Sequence, residues 1–191
     1  MGFPFPSYSQ ETDQQELRQY YPNFPFQEGI YKSFYEFKKN QPSIQLAIQG
    51  RGNDLKVWND SLQKMVAVAA EKVWGYSQSG NIYIAVDDAF WRIIKIGSLA
   101  QFSAIIVSRF TTVDPFGFPV ENYSKTMKSM FLDMKEGNVY ELNADNLALF
   151  LENEPMLYER FKKKRRKKEK ELILMLNAYN ELNPVYFPVY E

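Results

Sequence analysis

Cysteine and histidine are both absent from the 191 residues of this chain. Without cysteine there is no disulfide, no thiolate metal site and no cysteine nucleophile. Without histidine the chain lacks the usual general base, the Ser–His pair and the side chain that most often binds zinc. Only carboxylate, Lys, Tyr, Ser and Thr chemistry remains. We therefore expect no cofactor and no tightly held transition metal.

Glycine and long apolar runs are also scarce. The nine glycines form no GxGxxG or GxxxxGK[ST] phosphate loop, and no GxSxG nucleophile motif is present. The apolar runs are of strand length, as at 104–107, whereas a membrane-spanning helix needs roughly 18 residues. The sequence therefore predicts no transmembrane segment. Apolar residues still make up 45% of the chain, which is enough for a sizeable core.

The chain is formally neutral, with 23 basic and 23 acidic residues, yet eight of the nine residues from Lys162 to Lys170 are basic. A solvated helix face, with the acidic remainder of the chain as counterion, is the simplest interpretation. The alternative is an anion-binding module in which Lys163, Arg166 and Lys167 contact phosphate groups, lipid headgroups or acidic glycans. Nucleic acid is disfavoured as a partner, because no aromatic side chains are interleaved for base stacking.

Alternating apolar and polar residues predict short strands between about 43 and 142. In residues 43–49 we expect Ile44, Leu46 and Ile48 to be buried on one face. Further strands are predicted by the patterns at 82–86, 90–97, 102–110, 126–134 and 138–142, with turns between them. No helical segment separates these strands, so the expected fold class is α+β: a curved antiparallel meander sheet, open or partly closed into a barrel, followed by C-terminal helices.

Helix start and stop signals divide the chain into three parts. Ser33 should cap a short helix, and Asn143 should cap another. From Pro155 to about Leu182 nothing breaks a helix, so one continuous helix that includes residues 162–170 is predicted, with Pro184 ending it. The expected organisation is an extended segment at 1–28, a β-rich domain at 29–142 and a helical element with an extended tail at 143–191, packed on the same domain.

Four aromatic residues lie on neighbouring predicted strands: Trp74, Tyr76, Tyr83 and Trp91. A flat aromatic surface would suit a sugar or an apolar ligand, and these rings are the candidate ligand-binding residues. The alternative is that they are part of a core rich in rings.

Acidic pairs at predicted turns offer a different chemistry. Asp87 with Asp88, and Asp133 with Glu136, could act as the two carboxylates of a glycoside hydrolase or bind a hard cation. Turn formation alone also accounts for them. No catalytic residue is assigned from the sequence.

The N-terminus carries a hint of export. Ser7 and Ser9 are small residues spaced as a signal peptidase requires, and Gln10 follows them. Only a short apolar segment, residues 2–6, precedes them. We expect an exported protein, periplasmic or at the cell surface, with a cytoplasmic location as the alternative.

Several stretches resemble a family of uncharacterised exported proteins of Bacteroidetes-type bacteria. They are GIYKSFYEFKKNQPS (29–43), KVWGYSQSGNIYI (72–84), WRIIKIG (91–97) and much of 152–188. The resemblance implies a bacterial origin and export, and it implies no activity and no functional residue.

The function expected from these observations is that of a non-enzymatic, exported envelope protein with a binding or accessory role. The alternatives are a small carboxylate-dependent glycan hydrolase and an anion-binding module acting through the basic helix at 162–170. The expected partners are a glycan, an anionic surface or another envelope protein.

Overall fold

A seven-stranded antiparallel sheet forms the centre of the computed structural model, which describes residues 16–51, 54–164 and 168–190. From one edge to the other its strands are β2 (Gly29–Tyr31), β6 (Gly75–Gln78), β7 (Asn81–Val86), β8 (Ala89–Lys95), β9 (Leu99–Val113), β10 (Pro119–Asp133) and β11 (Val139–Glu141). Consecutive strands from β6 to β11 are joined as a meander. The sheet is open, with β2 and β11 at its edges, so the predicted α+β meander is confirmed and no barrel closes.

The other strands of the described chain form two smaller sheets. One consists of β3 (Ile48–Arg51), β4 (Asp54–Asn59) and β5 (Lys64–Ala67), all antiparallel. The other joins β1 (Leu17–Gln19), near the start of the described chain, to β12 (Tyr186–Pro188), near its end. The buried side chain of Asn40 joins β12 to the chain that follows β1, because its amide donates to the carbonyl oxygens of Pro188 and Pro25.

The helices are α1 (Phe34–Lys38), α2 (Ala144–Leu151), α3 (Pro155–Lys162) and α4 (Glu169–Leu182), with a short 3₁₀ helix at Ala70–Lys72. The hydroxyl of Ser33 accepts the N–H of Glu36 at 3.2 Å, and Asn143 Oδ1 accepts the N–H of Asn146 at 2.9 Å. Both predicted caps are therefore confirmed. Among the residues described, no helix is long and apolar enough to cross a membrane.

Side-chain alternation gives the central sheet two buried faces. One face packs against the chain segments near both ends and against α1, in a cluster that includes Ile84, Phe102, Phe26, Phe37 and Phe187. The opposite face is shared between two groups of elements. The helices cover Leu99 and Phe131 through Leu147, Phe161 and Leu176, while the small sheet covers Ile30, Tyr76 and Phe90 through Leu55.

The prediction of a single strand over 43–49 is wrong. Ile44 forms an isolated bridge with Ile30, whereas Ile48 belongs to β3 and pairs with Val57. The chain thus leaves one sheet and enters another between these two residues. Leu46 lies in the crossing and is 46% exposed. The alternating pattern was present, but its apolar members contact two different sheets.

The prediction of one continuous helix from Pro155 to Leu182 is also wrong. α3 ends at Lys162, and the backbone of Lys168 is extended, with ψ 156°, before α4 begins at Glu169. Repulsion among consecutive cations opposes a helix here. Glu171 favours a new start, because its carboxylate accepts the N–H of Lys168 at 3.3 Å, as in a capping box.

Candidate functional site

A cavity of about 540 Å³ lies between α1, the β10–β11 turn, α2, α4 and the chain that follows α4. Its lining combines charged and aromatic side chains, among them Lys38, Asp133, Glu136, Tyr140, Phe150 and Tyr179. A concave site with aromatic walls and a few convergent polar groups is the typical form of a small-molecule site.

Lys38 supplies the positive charge of this cavity. It lies in the last turn of α1, next to Phe37, whose fully buried ring anchors the helix in the core. The Lys38 ammonium lies 5.7 Å from the centre of the Phe187 ring. Burial lowers the pKa of Lys38 below its ordinary value, and the charge of Asp133 partly opposes that effect. Among the residues described, no carboxylate forms an ion pair with this ammonium.

Asp133 supplies a carboxylate and is only 7% exposed. It ends β10, where its Oδ1 accepts the N–H of Lys135 at 2.8 Å and its carbonyl oxygen accepts the N–H of Gly137, also at 2.8 Å. Gly137 has a φ of 82° and lies against the ring of Phe34 in α1. This close approach holds the turn against α1 and thereby brings Asp133 close to Lys38.

The aromatic walls come from three elements. Tyr140 of β11 stacks on Phe131 with ring centres 5.4 Å apart, and Phe150 of α2 meets both rings edge-on. Tyr179 of α4 is half-buried. Burial raises the pKa of Tyr179, with smaller contributions from the charges of Glu154 and Asp133, so its hydroxyl remains a hydrogen-bond donor at neutral pH.

These groups allow recognition of a ligand with two kinds of polar group. The ammonium of Lys38 can pair with an anion, and the remaining lone pairs of the Asp133 carboxylate can accept hydroxyl donors. The rings of Tyr140 and Tyr179 offer apolar surface with polar edges. Each of the four side chains comes from a different secondary-structure element.

The four aromatic residues predicted to bind a ligand divide between opposite faces of the central sheet. Trp74 stacks on Phe37 at 4.4 Å, and the Trp91 indole N–H donates to the carbonyl of Val86 at 3.1 Å. Tyr76 and Tyr83 stack on each other at 4.5 Å on the other face. The four rings therefore form no shared surface, and each packs against a core cluster.

The two acidic pairs differ in their surroundings. Asp87 and Asp88 are exposed and have φ values of 48° and 59°, which the tight turn between β7 and β8 requires. Asp133 and Glu136 both line the cavity. Within the described ranges, no cluster of three or more acidic residues is arranged to hold a metal ion.

Neighbouring carboxylates partly neutralise the basic run at 162–170. Lys162 pairs with Glu159 at 2.6 Å, and Lys164 pairs with Glu171 at 3.3 Å. Lys163 is exposed. Arg166 and Lys167, the other two candidate anion-binding residues, lie outside the described residues.

Sequence reasoning missed three of the cavity's main side chains: Lys38, Tyr140 and Tyr179. Each has an ordinary local explanation in the sequence. Lys38 is a cation near a helix C-terminus, and the two tyrosines belong to apolar patterns. They come together only where α1, β11 and α4 meet around the β10–β11 turn. No family model matches this chain, and comparison with curated proteins and with solved structures gives no match either.

Proposed function

We propose that this chain is a non-enzymatic, exported envelope protein that binds hydroxylated carboxylic acids, in particular acidic glycans, in the cavity between Lys38 and Asp133. The observation that carries the proposal is a half-buried ammonium that pairs with no carboxylate of the residues the structure describes; it lies beside the buried Asp133 in a cavity with aromatic walls. The proposed ligand offers a carboxylate to the first group and hydroxyl donors to the second.

Lys38 is the group that gains most from an anionic ligand. Partial burial disfavours its charged form and so lowers the pKa of Lys38. A ligand carboxylate would restore the stabilisation that water no longer supplies, so binding and charge are coupled. A halide ion would gain less, because it has no hydroxyl to donate to Asp133.

Binding without catalysis is the simpler role for these carboxylates. Asp133 Oδ1 already accepts a hydrogen bond within the turn. Glu136 is more exposed and lies 3.8 Å from the ammonium of Lys135. Neither side chain needs to change its partners for Lys38 to receive a ligand.

The test compares trigalacturonic acid with its fully methyl-esterified form, which keeps the sugar rings and removes the charges. Calorimetry with the full chain should detect binding of the acid and much weaker binding of the ester. Lys38→Gln should weaken the binding of the acid about 10-fold to 100-fold, because a charge-assisted hydrogen bond is lost. Lys32→Gln makes the same charge change at an exposed lysine in the short connection between β2 and α1, and it should leave the affinity unchanged.

Equal affinity for acid and ester, or equal effects of the two substitutions, would contradict the proposal that the ligand binds in this cavity. Export is tested separately, by fractionation of the native host and mass spectrometry of the mature N-terminus. An intact chain beginning at Met1 in the cytosol would contradict that part of the proposal.

A glycan hydrolase is the second candidate, because Asp133 and Glu136 both line a cavity with aromatic walls. Its test is product release from acidic oligosaccharides over long incubation, with Asp133→Asn and Glu136→Gln as controls. Turnover abolished by both substitutions would favour the hydrolase, and no turnover by a chain that binds the same oligosaccharide would favour the binding protein.

A further inference from the structure

The outer halves of β9 and β10 project from the central sheet as a two-stranded arm. β8 pairs with β9 only as far as the inner residues Phe102 and Gln101, and β11 pairs with β10 only over 130–132. Beyond these contacts β9 and β10 continue to pair with each other out to Val113 and Pro119. The seven residues from Val107 to Val113 extend about 24 Å. A two-stranded ribbon of this kind is at best marginally stable in water.

The outer edge of β10 presents unpaired backbone groups. The carbonyl of Ser129 accepts the N–H of Leu142, and the N–H of Asp133 donates to Asn138, so odd-numbered residues of β10 face away from β9. The register between β9 and β10 is unbroken from 119 to 133, so this alternation continues along the arm. Within the described part of the chain, no strand pairs with this edge at 121–127.

We propose that this edge pairs with the same edge of a second copy of the chain, antiparallel and about a two-fold axis at Tyr123. In that register Glu121 lies opposite Lys125 of the partner subunit, and Lys125 lies opposite the partner's Glu121. Both opposite-charge pairs stand on the same face as the central tyrosines, because all three positions are odd-numbered. The backbone contributes about six hydrogen bonds, two at each of the three paired positions.

The same register accounts for where the pairing ends. Pro119 comes opposite Met127 of the partner subunit, and proline has no N–H to continue the ladder. Met127 is 60% exposed and Phe118, next to Pro119, is 66% exposed. Pairing therefore places the apolar side chain of Met127 beside Pro119 of the partner subunit at each end of the new interface. Such a contact is isologous, as a two-fold dimer requires.

Charged residues on a strand edge often prevent association. These charges prevent edge-to-edge pairing when pairing places like charges opposite one another. Here a two-fold axis at Tyr123 places a glutamate opposite a lysine on both sides, so the edge attracts its own copy. A strand from an unrelated protein would need the complementary sequence of charges by coincidence.

The test is sedimentation of the full chain over a wide range of concentrations. The wild-type chain should form a species of twice 22.5 kDa. Glu121→Lys alone and Lys125→Glu alone should each weaken association at least tenfold, because each puts like charges opposite one another. The double exchange, Glu121→Lys with Lys125→Glu, should restore the dimer. Glu71→Lys, at an exposed site away from the arm, should have no effect.

A second variant tests the backbone rather than the charges. Tyr123→Pro removes an N–H that faces away from β9, so the bonds between β9 and β10 are kept while the centre of the proposed ladder is lost. This variant should be monomeric with an unchanged circular dichroism spectrum. A wild-type chain that stays monomeric up to about 1 mM, single exchanges that still dimerise, or a double exchange that fails to recover would each overturn the proposal.

Discussion

The buried carboxylate of Asp133 acts on the half-buried ammonium of Lys38, where it opposes the fall in pKa that burial causes. One residue ends a short helix and the other ends a long strand. They are 95 positions apart in sequence, and the β10–β11 turn brings them to one cavity. The pair gives the cavity both a cationic and an anionic group.

The pH dependence of ligand affinity should follow Lys38. Its pKa is below the ordinary value of 10.5, so it loses its charge at a lower pH than other lysines. Affinity for trigalacturonic acid should therefore decline as the pH rises toward 10.5, and decline earlier than an ordinary lysine would cause. Lys38→Arg keeps the charge and should flatten this profile. Identical profiles for the two proteins, measured by calorimetry at several pH values, would contradict the assignment.

Alkaline unfolding should depend on Tyr76. Burial, with a smaller effect of Tyr83, raises the pKa of Tyr76 from 10.0 to about 12. The folded state keeps a proton that the unfolded chain releases, so this stabilisation is complete below pH 10.0 and is lost as the pH rises through about 12. Denaturant titrations across this range should show a smaller loss for Tyr76→Phe than for the wild type. The exposed control, Tyr186→Phe, should behave as the wild type does.

Core and arm should respond differently to the loss of a phenylalanine ring. Phe131 is fully buried between β10 and the helices, and Phe131→Ala should lower the free energy of unfolding by about 3–5 kcal/mol. Phe116 is 84% exposed at the tip of the arm, and Phe116→Ala should change it by less than about 0.5 kcal/mol. Comparable losses in chemical denaturation would mean that the arm packs against the body.

Asn180 should be a main link between α4 and the sheet. Its Oδ1 accepts the N–H of Leu99 at 2.7 Å, and its Nδ2 donates to the Leu99 carbonyl at 2.9 Å, as a neighbouring strand would. Asn180→Leu leaves both backbone groups without these partners and should cost about 1–3 kcal/mol.

The matched control for that substitution lies one turn earlier in α4. Asn177 accepts a hydrogen bond from the exposed ammonium of Lys95 at 2.9 Å. Asn177→Leu should cost less than about 0.5 kcal/mol, because water can replace that partner. If both substitutions cost the same in denaturant titrations, the side-chain link to Leu99 contributes little.

Local signals predicted the starts of α1 and α2 correctly. The caps at Ser33 and Asn143 each depend on a few adjacent residues, and sequence carries that information directly. The extent of the arm was harder to predict. The sequence predicts strands only at 102–110 and 126–134, but in the structure β9 extends to Val113 and β10 begins at Pro119, because the two strands pair in an unbroken register.

Errors arose where distant contacts decide the structure. The apolar pattern at Ile44, Leu46 and Ile48 satisfied the rule for one strand, yet its members belong to two sheets. The basic run was predicted as helix from residue propensities. Two effects instead favour a new helix start at Glu169. The neighbouring cations repel one another, and the carboxylate of Glu171 accepts the N–H of Lys168. The cavity depends on the same kind of long-range packing and has no local signature.

The most direct measurement of the central claim is the pKa of Lys38 itself, followed by NMR through the carbon next to its ammonium, with and without trigalacturonic acid. The account predicts that the pKa of Lys38 lies below the ordinary lysine value of 10.5 in the free protein and rises when the acid binds. A Lys38 pKa at the ordinary value of 10.5, unchanged by the acid, would contradict it.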